Sequence, residues 1–186
     1  MAAVAVAAPP SPATLIPLNA APKAELGKVL SPTQVRTFLN CSARWWFKYG
    51  LKLPETKNSS LALGSAVHRT LEVNFREKIA TREDLETLGV VALFRSEWQD
   101  QVAETAFRDD EDPGAIGKVG EQLIAKYMDE AAPWIQPAAA EVDVTGEIGG
   151  VAVRGKVDLL DEEGRIVDVK TSARKPSASH RTTHFS

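Results

Sequence analysis

The sequence has little cysteine, no long apolar run and no large excess of charge, and each shortage excludes a class of protein. Cys41 is the only cysteine among 186 residues, so the chain can form no internal disulfide and cannot supply the thiolates of an iron–sulfur cluster. We expect no iron–sulfur cluster and interpret Cys41 as a small buried apolar residue. Because no apolar run could cross a bilayer and the first residues lack a secretory pattern, we expect a cytoplasmic protein without a membrane partner.

The net charge of −3 argues weakly against a nucleic-acid partner, but the charges are unevenly distributed. Residues 31–80 contain eight basic and three acidic residues, a balance of +5. Residues 82–113 contain three basic and ten acidic residues, a balance of −7. A basic segment beside an acidic one allows contact with phosphates on one side only. The alternative is that both segments are ordinary solvated helix faces.

Composition divides the chain into three parts. Residues 1–29 are rich in alanine and proline and show no apolar period, which predicts a flexible leader. Residues 30–174 are predicted to form one domain, because a chain with 44% hydrophobic residues can bury a real core. Residues 175–186 have no apolar period, so we expect a disordered tail.

The first helix is predicted from a complete start signal. Ser31 is a candidate N-cap, Pro32 suits the first helical position, and Gln34 stands where a capping box requires Glu or Gln. We expect this helix to continue to Tyr49, with Gly50 at its exit. Its buried stripe would consist of residues spaced three or four apart: Val35, Phe38, Leu39, Ser42, Trp45, Trp46 and Tyr49.

Three further helices follow from the same periodicity. Residues 61–80 repeat apolar side chains every fourth position, and His68 falls at the edge of that buried face. Thr81 begins a second capping-box pattern, which predicts a helix containing Leu85 to Val102. Residues 116–130 form the fourth helix, which ends before Pro133.

From Glu141 the period changes to two, which is typical of strands. Two glycine-containing loops, at 149–150 and 162–164, divide this region into a three-stranded antiparallel meander with one apolar and one charged face. The loop lengths set the register and place Glu141 opposite Asp158, and Asp158 opposite Asp168. The predicted fold class is therefore α+β, with N-terminal helices followed by the meander.

Three carboxylates in one row need a positive partner. Side chains directly opposite each other in a sheet are about 5 Å apart, so Glu141, Asp158 and Asp168 would repel unless a cation lies between them. Lys170 lies on the same face as Asp168. Oxygen ligands with a nearby ammonium favour Mg²⁺ or Mn²⁺ over Zn²⁺. Alternatively, the two aspartates are solvated acids paired with Lys156 and Lys170.

These residues resemble the PD-(D/E)XK nuclease superfamily, and specifically its RecB-like exonuclease branch. The stretch "GKVDLLDEEGRIVDVKT" at 155–171 resembles the two strands of the signature. The stretch "LGSAVHRTLE" at 63–72 resembles the branch's G-x-x-x-H helix, and "CSARW" at 41–45 resembles its opening helix. The resemblance covers roughly residues 30–172 and implies a restriction-endonuclease-like core.

The resemblance implies Mg²⁺- or Mn²⁺-dependent hydrolysis of DNA, in repair or recombination. His68, Asp158 and Asp168 would bind the metal together with the backbone carbonyl of Val169. Asp158 and Asp168 would also be catalytic residues, together with Glu141 and Lys170. Glu141 stands at the position of the family's upstream glutamate, and Lys170 would orient or help deprotonate the attacking water.

The proposed ligand role of His68 also has an alternative. His68 could be a histidine at the edge of the core that bonds to Glu72, one helical turn further along.

The chain departs from the family after the third strand. The family's core continues into a helix with a Gln-x-x-x-Tyr motif, whereas the residues that follow Lys170 contain neither Gln nor Tyr. We therefore expect a core truncated after the third strand, completed by a second chain or joined by a helicase. Two alternatives follow: a catalytically inactive DNA-binding or assembly module, and a general α+β binding domain without a metal.

Overall fold

The computed structural model describes residues 29–171. The predicted tail, and all of the predicted leader except its last residue, lie outside the described residues. The elements in chain order are β1 (Val29–Leu30), α1 (Pro32–Asn40), α2 (Ser42–Trp45), a π-helical turn (Trp46–Gly50), α3 (Ser59–Thr81), α4 (Thr87–Ala103), α5 (Pro113–Glu130), a 3-10 turn (Ala132–Trp134), β2 (Pro137–Ile148), β3 (Val151–Asp161) and β4 (Ile166–Val167).

The sheet is built around β3. Strand β2 pairs with β3 in antiparallel fashion along one edge, while β1, in parallel, and β4, antiparallel, take separate positions on the other edge. The α+β fold class is therefore confirmed, and the predicted meander corresponds to β2, β3 and β4. Strand β1 is an addition, because its two residues carry no alternation that sequence analysis could recognise.

Both hairpin registers agree with the prediction. Gly149 and Gly150 have φ values of 58° and 79°, and the pairs run from Ile148 with Val151 to Ala140 with Leu159. Left-handed backbone is readily available to glycine, which is why this loop can be so tight. The second loop pairs Leu159 with Val167, but β4 then ends, so the third strand is shorter than predicted.

The first helix begins as predicted and ends early. The Ser31 N–H donates to Gln34 Oε1 at 3.0 Å and the Gln34 N–H donates to Ser31 Oγ at 3.2 Å, which completes the capping box. Cys41 then adopts extended backbone with φ −162° and interrupts the helix. The break leaves Cys41, Phe38 and Leu39 exposed, so the expected burial of this cysteine and of the full stripe was wrong.

The helix predicted to start at the Thr81 capping box corresponds to α4, and it does not begin there. Thr81 is the last residue of α3, and Arg82 ends that helix with φ 69°. The chain is held here by Asp84, which accepts hydrogen bonds from Asn74 at 2.8 Å and from buried Lys78 at 2.6 Å. Because these tertiary bonds shape the loop, α4 starts only at Thr87.

The core lies between α3, α4, α5 and the sheet. Phe94 and Ile124 from the helices and Leu159 from β3 are fully buried, and each such side chain contributes about 1.5–3 kcal/mol by leaving water. Helix α3 packs against β2, which positions the polar edge of α3 beside the charged residues of the hairpin. Within residues 29–171, no helix has the length and apolarity that spanning a bilayer would require.

Candidate metal centre

Three of the predicted site residues converge at one point. His68 of α3, Glu141 of β2 and Asp158 of β3 each offer a ligand atom, and these atoms lie within 4.8 Å of one another. All three residues are half-buried. The group joins a helix to both long strands of the sheet, so the packing of α3 on the hairpin determines its geometry.

His68 reaches the cluster because it lies at the edge of the buried face of α3. Val67 and Leu71 are buried in the core. His68, which follows Val67, lies on the neighbouring stripe of the helix and faces the hairpin. His68 Nδ1 lies 3.5 Å from Asp158 Oδ2. Glu72, the alternative partner, instead forms an ion pair with Arg76 at 2.7 Å.

Asp158 is oriented by the backbone that follows β4. The Val169 N–H donates a hydrogen bond to Asp158 Oδ2 at 2.9 Å, the same oxygen that faces His68. The neighbouring Leu159 is fully buried on the opposite face of β3, and this anchors the strand. Asp158 is thus held in one orientation, with its side chain only 19% exposed.

Glu141 occupies an irregular point of β2. It has a φ of 54° and lies between the paired residues Ala140 and Val142. A residue other than glycine is held in left-handed backbone at a cost of about 1–3 kcal/mol, and such strain tends to occur at functional sites. Glu141 Oε2 also lies 3.2 Å from Lys156 Nζ.

Asp168 and Lys170 lie beside this cluster and bind each other. Lys170 Nζ is 2.6 Å from Asp168 Oδ1, and the two side chains are 71% and 57% exposed. Because β4 ends at Val167, Asp168 is not aligned in the ladder with Asp158. The structure therefore brings two of the three predicted carboxylates together, and Asp168 has the solvated lysine pairing of the alternative interpretation.

The cluster opens into a cleft of about 530 Å³. Lys170 lines this cleft, so it faces the same space as the cluster although it is bound to Asp168. The lining residues come from α3, the hairpin and the segment after β4: Ser60, Leu61, Gly64, Ser65, His68, Arg69, Glu72, Glu141, Asp158, Lys170 and Thr171.

Two residues near the cluster make contacts that sequence analysis did not assign to them. A β-carbon on Gly64 would lie 3.4 Å from Thr171 Oγ1, so the glycine one turn before His68 lets the last described residues approach α3. Lys156 contacts Glu141, whereas we had considered it only as a partner of Asp158. The alternation of β3 offered a signal, because Lys156 and Asp158 share a face.

The donor chemistry of the cluster suits a divalent cation. Two carboxylates and an imidazole lie within 4.8 Å of one another, and like charges this close repel unless a positive group lies between them. Lys156 offsets one of these charges at the edge. Carboxylate oxygens are ligands for Mg²⁺ and Mn²⁺, and an imidazole nitrogen extends the range toward softer metals. These residues therefore fit a metal ion.

Comparison with known proteins identifies the family. The family model of the PD-(D/E)XK nuclease superfamily matches residues 29–185, which include every residue of the cluster. No curated protein and no solved structure matches the chain. The chain belongs to the PD-(D/E)XK nuclease superfamily.

Proposed function

We propose that this member of the PD-(D/E)XK nuclease superfamily is a DNA nuclease of the RecB-like exonuclease type that requires Mg²⁺ or Mn²⁺. The observation that carries the proposal is the convergence of His68, Glu141 and Asp158 in one cleft. The superfamily supplies the reaction class, and the cluster supplies a place where a metal could be held.

The proposed reaction is hydrolysis of a phosphodiester. A bound metal would polarise the phosphate and stabilise the charge that develops on the leaving oxygen. His68, Glu141 and Asp158 would hold the ion, and the strained backbone of Glu141 would keep its carboxylate aimed at it. Lys170 would orient the attacking water from its position in the cleft.

Asp168 and Val169 remain proposed metal ligands. Asp168 could join the cluster only if its ion pair with Lys170 opened. Because both side chains are largely exposed, this pair contributes only about 0–1 kcal/mol. The Val169 N–H already bonds to Asp158, so the segment carrying both residues is close to the cluster.

The finer parts of the proposal concern context. A role in DNA repair or recombination and a helicase or second chain as partner belong to the RecB-like resemblance, whereas the proposed cytoplasmic location rests on the sequence pattern alone. Gly64 and His68 support that resemblance, since they lie one turn apart on α3 at the cleft. The exposed side chains of Phe38 and Leu39 leave apolar surface that a second chain could cover.

Metal dependence is the decisive test. We expect the protein to degrade linear DNA with Mg²⁺ or Mn²⁺ and to lose both cleavage and Mn²⁺ binding in Asp158→Asn, as measured by gel assay and calorimetry. The matched control is Glu147→Gln, since Glu147 is an exposed acid of the same hairpin that does not line the cleft. Undiminished cleavage in EDTA, or unchanged Mn²⁺ binding in Asp158→Asn, would contradict the proposal.

The second candidate is a catalytically inactive DNA-binding or assembly module. The observation that favours it is the Asp168–Lys170 ion pair, which engages the Lys170 ammonium while Asp168 stays outside the group formed by His68, Glu141 and Asp158. Under the nuclease proposal, Lys170→Ala abolishes cleavage and leaves Mn²⁺ binding intact. A wild-type protein that binds Mn²⁺ and DNA but cuts with neither metal would establish the module instead.

A further inference from the structure

The segment between the first strand and the third helix contains no acidic residue over a long stretch. Residues 26–54 include neither Asp nor Glu. Three of the basic residues in this stretch, Arg36, Arg44 and Lys48, line one groove along α1 and α2. Such a run of one charge sign on one surface creates a positive potential.

This groove continues past the start of α1 to the hairpin. Its second part is lined by Asp143, Arg154 and Lys156, and both parts share Pro32 and Thr33. Together the two parts are lined by five basic residues and one acid. We call this surface the basic groove.

The basic groove ends at the candidate metal centre. Arg154, Lys156 and Asp158 alternate along β3 and so share one face of the sheet. Lys156 Nζ lies 3.2 Å from Glu141 Oε2, which joins the groove to the cluster. Four residues of strand place Arg154 roughly 13 Å from Asp158, a span of about four nucleotides along one DNA strand.

The ion pairs inside the groove leave room for a phosphate. Arg44 and Lys48 both pair with Glu55, Arg44 at 3.7 Å, and Arg154 lies 3.2 Å from Asp143. Exposed pairs of this kind contribute little, and arginine binds phosphate oxygens with charge-assisted hydrogen bonds. Within residues 29–171, Arg36 forms no ion pair, so its guanidinium faces the groove without a carboxylate partner.

A second groove shows the opposite electrostatics. The groove between α3 and the start of α5 is lined by Asp110, Glu111 and Asp112 and by no basic residue. A polyanion would be repelled there. Of these two grooves, only the basic groove offers favourable electrostatics to a phosphate backbone.

We propose that the basic groove binds the phosphate backbone of one DNA strand and leads it between α1 and the metal centre. This inference rests on the proposed nuclease function and adds the path of the substrate. Arg36 and Arg154, one in each part of the groove, are its principal phosphate-binding residues. The contacts are to phosphates, so they position DNA without reading its sequence.

The test is DNA binding in EDTA, where no cleavage is expected. Fluorescence anisotropy would compare the wild type with Arg36→Gln/Arg154→Gln, using a single-stranded oligonucleotide of about 20 nucleotides, long enough to pass well beyond the groove. The matched control is Lys118→Gln/Lys126→Gln, which removes the same charge from exposed positions of α5. We expect the groove variant to bind about tenfold more weakly, with a salt slope smaller by about 1–2.

Substrate length provides a second measurement. An oligonucleotide of about four nucleotides is too short to contact both parts of the groove at once, so the groove variant should lose less affinity for this short strand than for the longer one. Thermal unfolding of both double variants, and of Arg36→Gln alone, checks that folding is intact. Equal losses in the groove and control variants, or no loss in either, would overturn the proposal.

The nuclease proposal and the groove proposal can be refuted independently. Cleavage with Mn²⁺ by a groove variant whose DNA affinity is unchanged would refute the groove and leave the nuclease proposal standing. A groove-dependent affinity without cleavage by either metal would refute the nuclease and keep the groove as the surface of a DNA-binding module.

Discussion

Two regions flank the candidate site and differ greatly in burial. One is the helical layer formed by α3–α5, which carries His68, and the other is the second hairpin formed by β3 and β4, which Asp168 follows. In α3–α5, Phe94 and Ile124 are fully buried, and even Lys78 is only 4% exposed. In β4, Ile166 is 67% exposed, and the strand contributes only two residue pairs to the sheet. His68 is therefore positioned by the packed core, whereas Asp168 is positioned by local contacts.

The looseness of the second hairpin begins after its loop. Asp161 is buried at the base of the loop and accepts hydrogen bonds from the backbone N–H groups of Glu163 and Arg165 at 3.0 and 2.7 Å. Arg165 adds an ion pair to Asp161 at 2.6 Å. Beyond Val167, the Val169 N–H donates a hydrogen bond to Asp158 and the Val169 side chain packs against the core, whereas Asp168 bonds to Lys170.

The largest expected effect is in the helical layer. Lys78→Met should destabilise the protein by about 3 kcal/mol, because it leaves the largely buried Asp84 carboxylate without its charged partner. Lys78 also donates to the Ala132 carbonyl at 2.7 Å, which would lose that bond. Urea unfolding monitored by circular dichroism measures the change.

Lys126→Met is the control for this prediction. Lys126 pairs with Glu130 at 3.8 Å, and both side chains are 68% exposed, so the loss should stay below about 0.5 kcal/mol. Equal losses of unfolding free energy in both variants would show that the buried Lys78 ion pair contributes no more than an exposed one.

Two glycines of the helical layer, one closely packed and one open, test the same packing. A β-carbon on Gly120 of α5 would meet the ring of Phe94 and lie 2.9 Å from Leu63 Cδ1, so Gly120→Ala should destabilise the protein by about 2 kcal/mol. Gly89 of α4 has no atom within 4 Å of that position, and Gly89→Ala should stabilise it by about 0.5 kcal/mol. Thermal unfolding distinguishes the two, and a stable Gly120→Ala would contradict close packing of α5 on α4.

The smallest effect concerns the loop of the second hairpin in acid. Burial alone would raise the pKa of Asp161, but hydrogen bonds from Arg165 and from the loop backbone outweigh it and lower the pKa below its usual value. The resulting stabilisation is complete above the unfolded pKa of about 3.9 and is lost as the pH falls through the lower folded value.

The corresponding experiment compares urea unfolding at pH 7 and below about pH 4. Asp161→Asn should be less stable than the wild type at pH 7, and the gap should narrow in acid. Asp143→Asn, which alters an exposed acid of the first hairpin, is the control. A constant gap would show that Asp161 does not contribute through its charge.

Local signals predicted much of the fold. The capping box at Ser31 and the glycine loops at 149–150 and 164 act through residues only a few positions apart, and all appear in the structure. The helix break at Cys41 and the late start of α4 were not predictable in this way. The late start of α4 depends on contacts outside the local pattern, namely the bonds from Asn74 and Lys78 to Asp84.

For the candidate site, turn length and strand alternation were enough to predict the hairpin register and with it the neighbourhood of Glu141 and Asp158. They could not predict that His68 joins these residues or that Asp168 turns to Lys170. Those outcomes depend on how α3 packs on the sheet and on where β4 stops. Both depend on contacts between residues that are far apart in the sequence, and local sequence patterns contain no information about such contacts.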